Sequence, residues 1–233
     1  MREDIGRGVP NLYDIFSLKK GDFFMKTLSN NKRDITRKLA VTGIMSAVSA
    51  VLMMLSFNIP IMPSFIKMDF SELPALITAF SIGPVWGVAV CLIKNVLNLP
   101  FSTTGGVGEL SNFVLGALFV LFAALIYEKK KTRAGALIGS GVGSLVMAVV
   151  SIPWNYFVTY PAYVKILNFP LEAILGMYQK INPSVDGLLQ ALLVFNLPYT
   201  FCKGLVISLL TFLIYKRLSP ILKGKKSRNK EKN

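Results

Sequence analysis

The chain has 233 residues, 53% of them hydrophobic and 16% charged, with a mean hydropathy of +0.54 and a formal net charge of +14. That balance excludes an ordinary soluble domain and points to a polytopic helical membrane protein. The positive residues gather at the ends of apolar runs, so they read as a topology signal rather than a nucleic-acid surface. The sequence has no histidine, which removes the commonest general base and metal ligand. Its two cysteines, Cys91 and Cys202, lie inside apolar runs and indicate neither a disulfide framework nor a zinc site.

Residues 1–38 form a basic segment, expected to be cytoplasmic, without a secretory signal. Met25 opens a second plausible start, so residues 1–24 read as an extension without an assigned role. The membrane domain is expected over residues 39–215. Its first span, Leu39–Phe57, carries a stripe of small residues, Ala40, Gly43 and Ala47, suited to close helix approach. Such a stripe packs either inside the protein or against a partner. The following segment, Asn58–Lys67, has two prolines yet is apolar, with Ile59, Ile61, Met62 and Phe65. It is either a lid over an apolar ligand or a loop dipping into the membrane interface.

Asp69–Pro100 is either one helix kinked at Gly83-Pro84 or two short ones, about Phe70–Ile82 and Val85–Leu99. Two helices place every basic cluster on one side: nine Lys and Arg before the first span, four in Glu128–Arg133 and eight after the last, 21 of the 26. The expectation is therefore an all-α bundle of six transmembrane helices with both termini cytoplasmic. Lys94 and Asn95 fall near the outer end of the third helix, where Lys94 either snorkels or meets a ligand.

Ser102–Asn112, STTGGVGELSN, joins two apolar runs and places Thr104, Gly105, Glu109 and Asn112 at the start of the next helix. A polar, glycine-rich turn here is either an ordinary extramembrane turn or the lining of a cavity at membrane depth. Leu110–Tyr127 and the glycine-rich Ala134–Phe157 are the fourth and fifth spans. Asn155 stands out among the aromatic residues that end the fifth, because an amide both donates and accepts. Val158–Val185 reads as an outer loop with one helix from Leu171 to Lys180. The last span, Gly187–Tyr215, carries Asn196, Thr200 and Lys203 on one side, and residues 216–233 form a basic cytoplasmic tail. The outer half of such a bundle would gather one carboxylate, several amides and hydroxyls and one or two amines under an apolar cover. That lining suits a flat, largely apolar heterocycle with a polar tail, and no nucleophile–base pair, Walker loop or metal cluster suggests an enzyme.

Taken together, Lys67-Met68-Asp69-Phe70-Ser71-Glu72-Leu73-Pro74, Gly83-Pro84, Lys94-Asn95 and STTGGVGELSNF resemble the riboflavin-specific S-components of energy-coupling factor (ECF) transporters. The resemblance runs from about Lys38 to Lys216. It implies a bacterial plasma-membrane subunit that captures riboflavin, or its phosphate FMN, from outside, with no catalysis and no cofactor of its own. It also implies a transmembrane coupling subunit, met by Ala40, Gly43 and Ala47, and two ATPase subunits. In that family an Asn-x-x-Lys pair of the last helix meets the flavin. The matching positions here are Thr200 and Lys203, with Asn196 the nearby amide, and Asn155 matches the family's fifth-helix amide. The alternatives are an S-component for another vitamin or a stand-alone secondary carrier.

Overall fold

The computed structural model describes residues 12–223, with side chains described from 32 to 215. The chain divides into two units, residues 1–40 and residues 41–233. Helix α1 runs Leu12–Met54, and the segment Lys32–Met54 is long and apolar enough to cross a membrane. The sequence reading began this helix at Leu39; the helix instead continues through the basic residues before it. Residues 1–11 and 224–233 of the expected terminal segments lie outside the described residues.

After α1 the lid segment closes on itself. β1 (Phe57–Asn58) pairs antiparallel with β2 (Lys67–Met68), and two turns, Ile59–Met62 and Pro63–Ile66, fold the apolar residues between them. The two prolines exclude a helix here, and the short ladder supplies backbone partners instead. Met62 and Met68 are buried, while Ile61 points outward.

The Gly83-Pro84 joint separates two helices, α2 (Glu72–Ile82) and α3 (Pro84–Asn98), as the charge argument requires. Gly83 sits at φ +117°, a conformation side chains disfavour, and Pro84 opens α3 at a position where its missing N–H costs nothing. Eleven residues make α2 about 16 Å long, roughly half the hydrocarbon thickness. Protein surrounds it: Ala75, Leu76, Ile77, Ala79 and Phe80 are all buried. Among the described residues five segments are long and apolar enough to span, and α2 is a shorter apolar helix.

Helices α4 (Val107–Lys129) and α5 (Arg133–Trp154) follow, packed tightly by glycine. A Cβ on Gly143 would lie 2.5 Å from the Phe119 carbonyl oxygen, and one on Gly139 equally close to that of Ala123. These backbones touch directly, the close approach that small residues permit in a membrane.

Helix α5 does not end at Phe157. It passes through a π turn, Asn155–Thr159, into α6 (Tyr160–Ile166), giving a helical run of 34 residues. Helix α7 covers Leu171–Gln179. The last span begins with α8 (Leu188–Ala191), passes a second π turn, Leu192–Asn196, and continues as α9 (Leu197–Lys223). Each π turn ends two residues before a proline, Pro161 and Pro198. A proline ring crowds the carbonyl four residues back and donates nothing to it, and the wider turn relieves that conflict.

Gly141, one residue-pair before the close contact of Gly143, has open space at its Cβ position. Replacing Gly143 by Leu is expected to cost about 1–3 kcal/mol through overpacking, while Gly141→Leu is tolerated. Thermal unfolding of the two variants in one detergent separates these outcomes.

Candidate ligand-binding site

A cavity of about 280 Å³ lies below the lid segment. Phe65, Lys67 and Asp69 come from the lid, Met53 and Met54 from α1, and Asn98 and Phe101 from the end of α3. The Gly-rich turn and the start of α4 contribute Thr103, Thr104, Gly108, Glu109 and Asn112. A neighbouring cavity of about 360 Å³ shares Phe65, Thr103 and Thr104 and extends to Tyr163, Leu167 and Phe169. Together they fall within the range of small-molecule sites, and their mixture of rings, hydroxyls, amides and carboxylates matches such a lining.

The Gly-rich turn is held by its own hydroxyls. Glycines at positive φ (Gly105 at +56°, Gly106 at +86°) turn the chain into α4 and aim Glu109 at Ser102 and Thr104, which donate to its Oε2 at 2.7 and 3.1 Å. Asn112 accepts from Asn95 at 3.3 Å, and Asn95 also donates to the Cys91 carbonyl. The turn is thus part of a cavity wall.

Phe65 fixes the lid. Its ring lies edge-on to Tyr160, Tyr163 and Tyr178, each with its centroid 6.2 Å away. Such pairs add about 0.5–1.5 kcal/mol each beyond their buried area. Behind them, Tyr178 donates to Asn196 Oδ1 at 2.6 Å, Tyr160 and Tyr178 share a 2.5 Å bond, and Asn196 Nδ2 reaches the Tyr160 hydroxyl at 3.5 Å. Burial pushes the Tyr178 phenol far above its ordinary range, so it remains a donor. Asn196 is committed to these two tyrosines and turned away from Lys203.

The lid's other end is held by charge. Lys94, fully buried, pairs with Glu72 Oε1 at 2.8 Å and donates to Ser71 Oγ. Lys203 on α9 pairs with Asp69 Oδ2 at 2.9 Å and Glu72 Oε2 at 3.2 Å. Ser71 donates its hydroxyl and its N–H to Asp69 Oδ1, and Ser49 on α1 donates to the Ser71 carbonyl. Burial alone would raise the Asp69 carboxyl, but Lys203 and Lys94, with the Ser71 and Lys203 hydrogen bonds, hold it at about 2.

Several expected site residues therefore occupy other places. Lys94 neither snorkels nor lines the cavity; its amine is consumed by Glu72 and Ser71. Lys203 stands one residue behind the wall, reaching it through Asp69. Thr200 is half-buried and lines neither cavity. Asn155 is buried in the π turn beside Trp154, which donates to Ser111 on α4, so it stands at the same end of the bundle as Glu109. Of the lid residues, Phe65 lines both cavities, while Ile59 and Met62 pack elsewhere in the loop. Gly105 holds the turn through its backbone, and Thr104 serves both the turn and the wall. The small residues Ala40, Gly43 and Ala47 are exposed, and nothing lies within 4 Å of a Cβ on Gly43. Asp69, Ser71, Glu72 and Tyr178 had no assigned role in the sequence reading, and Tyr160 and Tyr163 read as part of an interfacial aromatic belt. The two acids in an otherwise apolar stretch, facing two lysines elsewhere in apolar helices, were the signal for the ion network.

A family model described as the ECF transporter substrate-specific component matches residues 37–215. The chain belongs to that family. It is 36% identical over 196 residues to the riboflavin transporter RibU of Staphylococcus aureus, covering 84% of this chain and 95% of that protein. Against the riboflavin transporter FmnP of Bacillus subtilis the identity is 33%, over 82% of this chain and 96% of the relative. A solved structure described as the S component of a bacterial ECF transporter superposes with a TM-score of 0.64 at 33% identity, covering 81% of this chain and 99% of that one.

Removing Lys94 is expected to cost about 3–5 kcal/mol, because Glu72 then keeps a buried charge with one partner lost. Lys94→Met combined with Glu72→Gln leaves the Lys203–Asp69 pair and recovers most of that loss; denaturation of the single and double variants measures it. Because the folded pKa of Asp69 lies below its ordinary 3.8, its stabilisation is complete above that value and fades as pH falls toward about 2. Asp69→Asn should flatten that acid limb in a pH series of melting temperatures.

Proposed function

We propose that this chain is the riboflavin-binding substrate subunit of an ECF-type importer in the bacterial plasma membrane. It captures the vitamin on the outer side and delivers it with a transmembrane coupling subunit and two ATPases, doing no chemistry itself. The observation that carries the reading is the lid-covered cavity, walled by Phe65, Thr104, Glu109 and Asn112, in a chain 36% identical to a riboflavin transporter. A planar ring packs against Phe65 and Tyr163, and the amides and hydroxyls of the wall meet its polar edges and tail. Asn155 and Lys203 support the site from behind, Lys203 by holding Asp69 in the wall. Six helices with both ends cytoplasmic place the lid and the Gly-rich turn outside, consistent with the basic clusters.

The coupling subunit takes the exposed face of α1. Ala40, Gly43 and Ala47 lie along it, and Gly43 has room for another backbone.

Detergent-solubilised protein titrated with riboflavin should quench the flavin's fluorescence at one-to-one stoichiometry. Protein that leaves the signal unchanged, or prefers another vitamin in competition, overturns the assignment. Lys203→Ala should weaken binding by about 1–3 kcal/mol, by freeing Asp69 from its partner. Gly43→Leu should leave riboflavin binding intact while preventing co-purification with the coupling subunit, which a stand-alone carrier would not need.

A further inference from the structure

The Gly-rich turn has the sequence of an anion cradle and the hydrogen bonding of its opposite. Glycines at a helix N-terminus usually leave backbone N–H groups free for a phosphate. In this turn three of them are already occupied by side-chain hydroxyls. Ser102 Oγ accepts from the N–H of Gly106 at 2.9 Å and of Thr104 at 3.2 Å, and Thr104 Oγ1 accepts from the N–H of Gly108 at 3.0 Å. Each hydroxyl donates its own hydrogen bond to Glu109 Oε2, at 2.7 and 3.1 Å. The contact between the two hydroxyls is longer than any of these, at 3.3 Å. A hydroxyl has one proton to give, so the bonds run one way, from backbone N–H through hydroxyl to carboxylate. The chain ends on Glu109, whose negative charge also satisfies the positive end of α4 from within. Asp69 lines the same cavity, with Lys67 as the lysine among its lining residues. Lys94 and Lys203 are neutralised by Glu72 and Asp69.

We propose that Glu109 is a specificity-determining residue that makes this end of the cavity select a flavin with a free polyol tail and exclude its 5′-phosphate. This rests on the riboflavin reading. A tail hydroxyl donates to the Glu109 carboxylate. A phosphate dianion has no proton for it, is repelled by Glu109, and finds three backbone donors of the turn already engaged. Removing the Glu109 charge removes the repulsion, and removing the Ser102 hydroxyl releases two N–H groups to the cavity.

The test is a fluorescence titration of the purified full chain with riboflavin, riboflavin 5′-phosphate and lumiflavin, which lacks the tail and reports that each variant is folded. The unaltered protein should bind riboflavin at least about tenfold more tightly than the phosphate, and Glu109→Gln should bring the two within about threefold. Ser102→Ala should narrow the ratio in the same direction, and it carries the test alone if Glu109→Gln does not fold. Equal affinities in the unaltered protein, or an unchanged ratio in the variants that fold, overturn the inference and leave the riboflavin reading standing. Failure of the unaltered protein to bind any of the three flavins overturns both.

Discussion

Two lysines and two carboxylates buried in a lipid-embedded bundle are the constraint around which the rest is arranged. Lys94, Lys203, Asp69 and Glu72 sum to zero charge, and each reaches a partner within 3.2 Å. Moving any one charge into a medium of low dielectric is costly, and mutual pairing offsets that cost only while the geometry holds. The network therefore fixes relative positions rather than simply adding stability. It joins the end of the lid and the start of α2 to α3 and α9, and Ser49 carries the connection to α1. Since Asp69 also lines the cavity, one wall of the site is set by charges that no ligand needs to touch.

Around that centre, the backbone is shaped by residues that forgo ordinary helical bonding. The glycines of α5 let its backbone rest on α4. The prolines at 161 and 198 follow π turns, and those turns carry Asn155 and Asn196. A π turn rotates the side chains after it relative to those before it, so an amide inside the turn faces a direction that a regular helix would not give. Asn196 is thereby delivered to Tyr160 and Tyr178.

Much of this arrangement was readable in the chain. Apolar run lengths gave the spans, and the distribution of Lys and Arg decided that Gly83-Pro84 separates two helices, which the structure bears out. The grouping of the lid, the Gly-rich turn, Glu109 and Asn112 was also accessible, because polar residues at membrane depth need a common cavity. What could not be read was orientation within a helix. Spacing of 3.6 residues placed Asn196 and Lys203 on one side, and the π turn and Pro198 sent them to different neighbours. Lys203 was assigned to a ligand, and Lys94 to a ligand or the membrane surface, because their partners, Asp69 and Glu72, lie more than twenty residues away from each of them in sequence. Such pairing leaves no local pattern.

The lodging of Phe65 among three tyrosines has a consequence for timing. One ring is gripped from three directions by side chains that are themselves locked by phenol and amide bonds. The grip cannot loosen gradually, since withdrawing the ring forfeits all three edge contacts together. Freeing the ring would therefore be an all-or-none step for the loop that carries it.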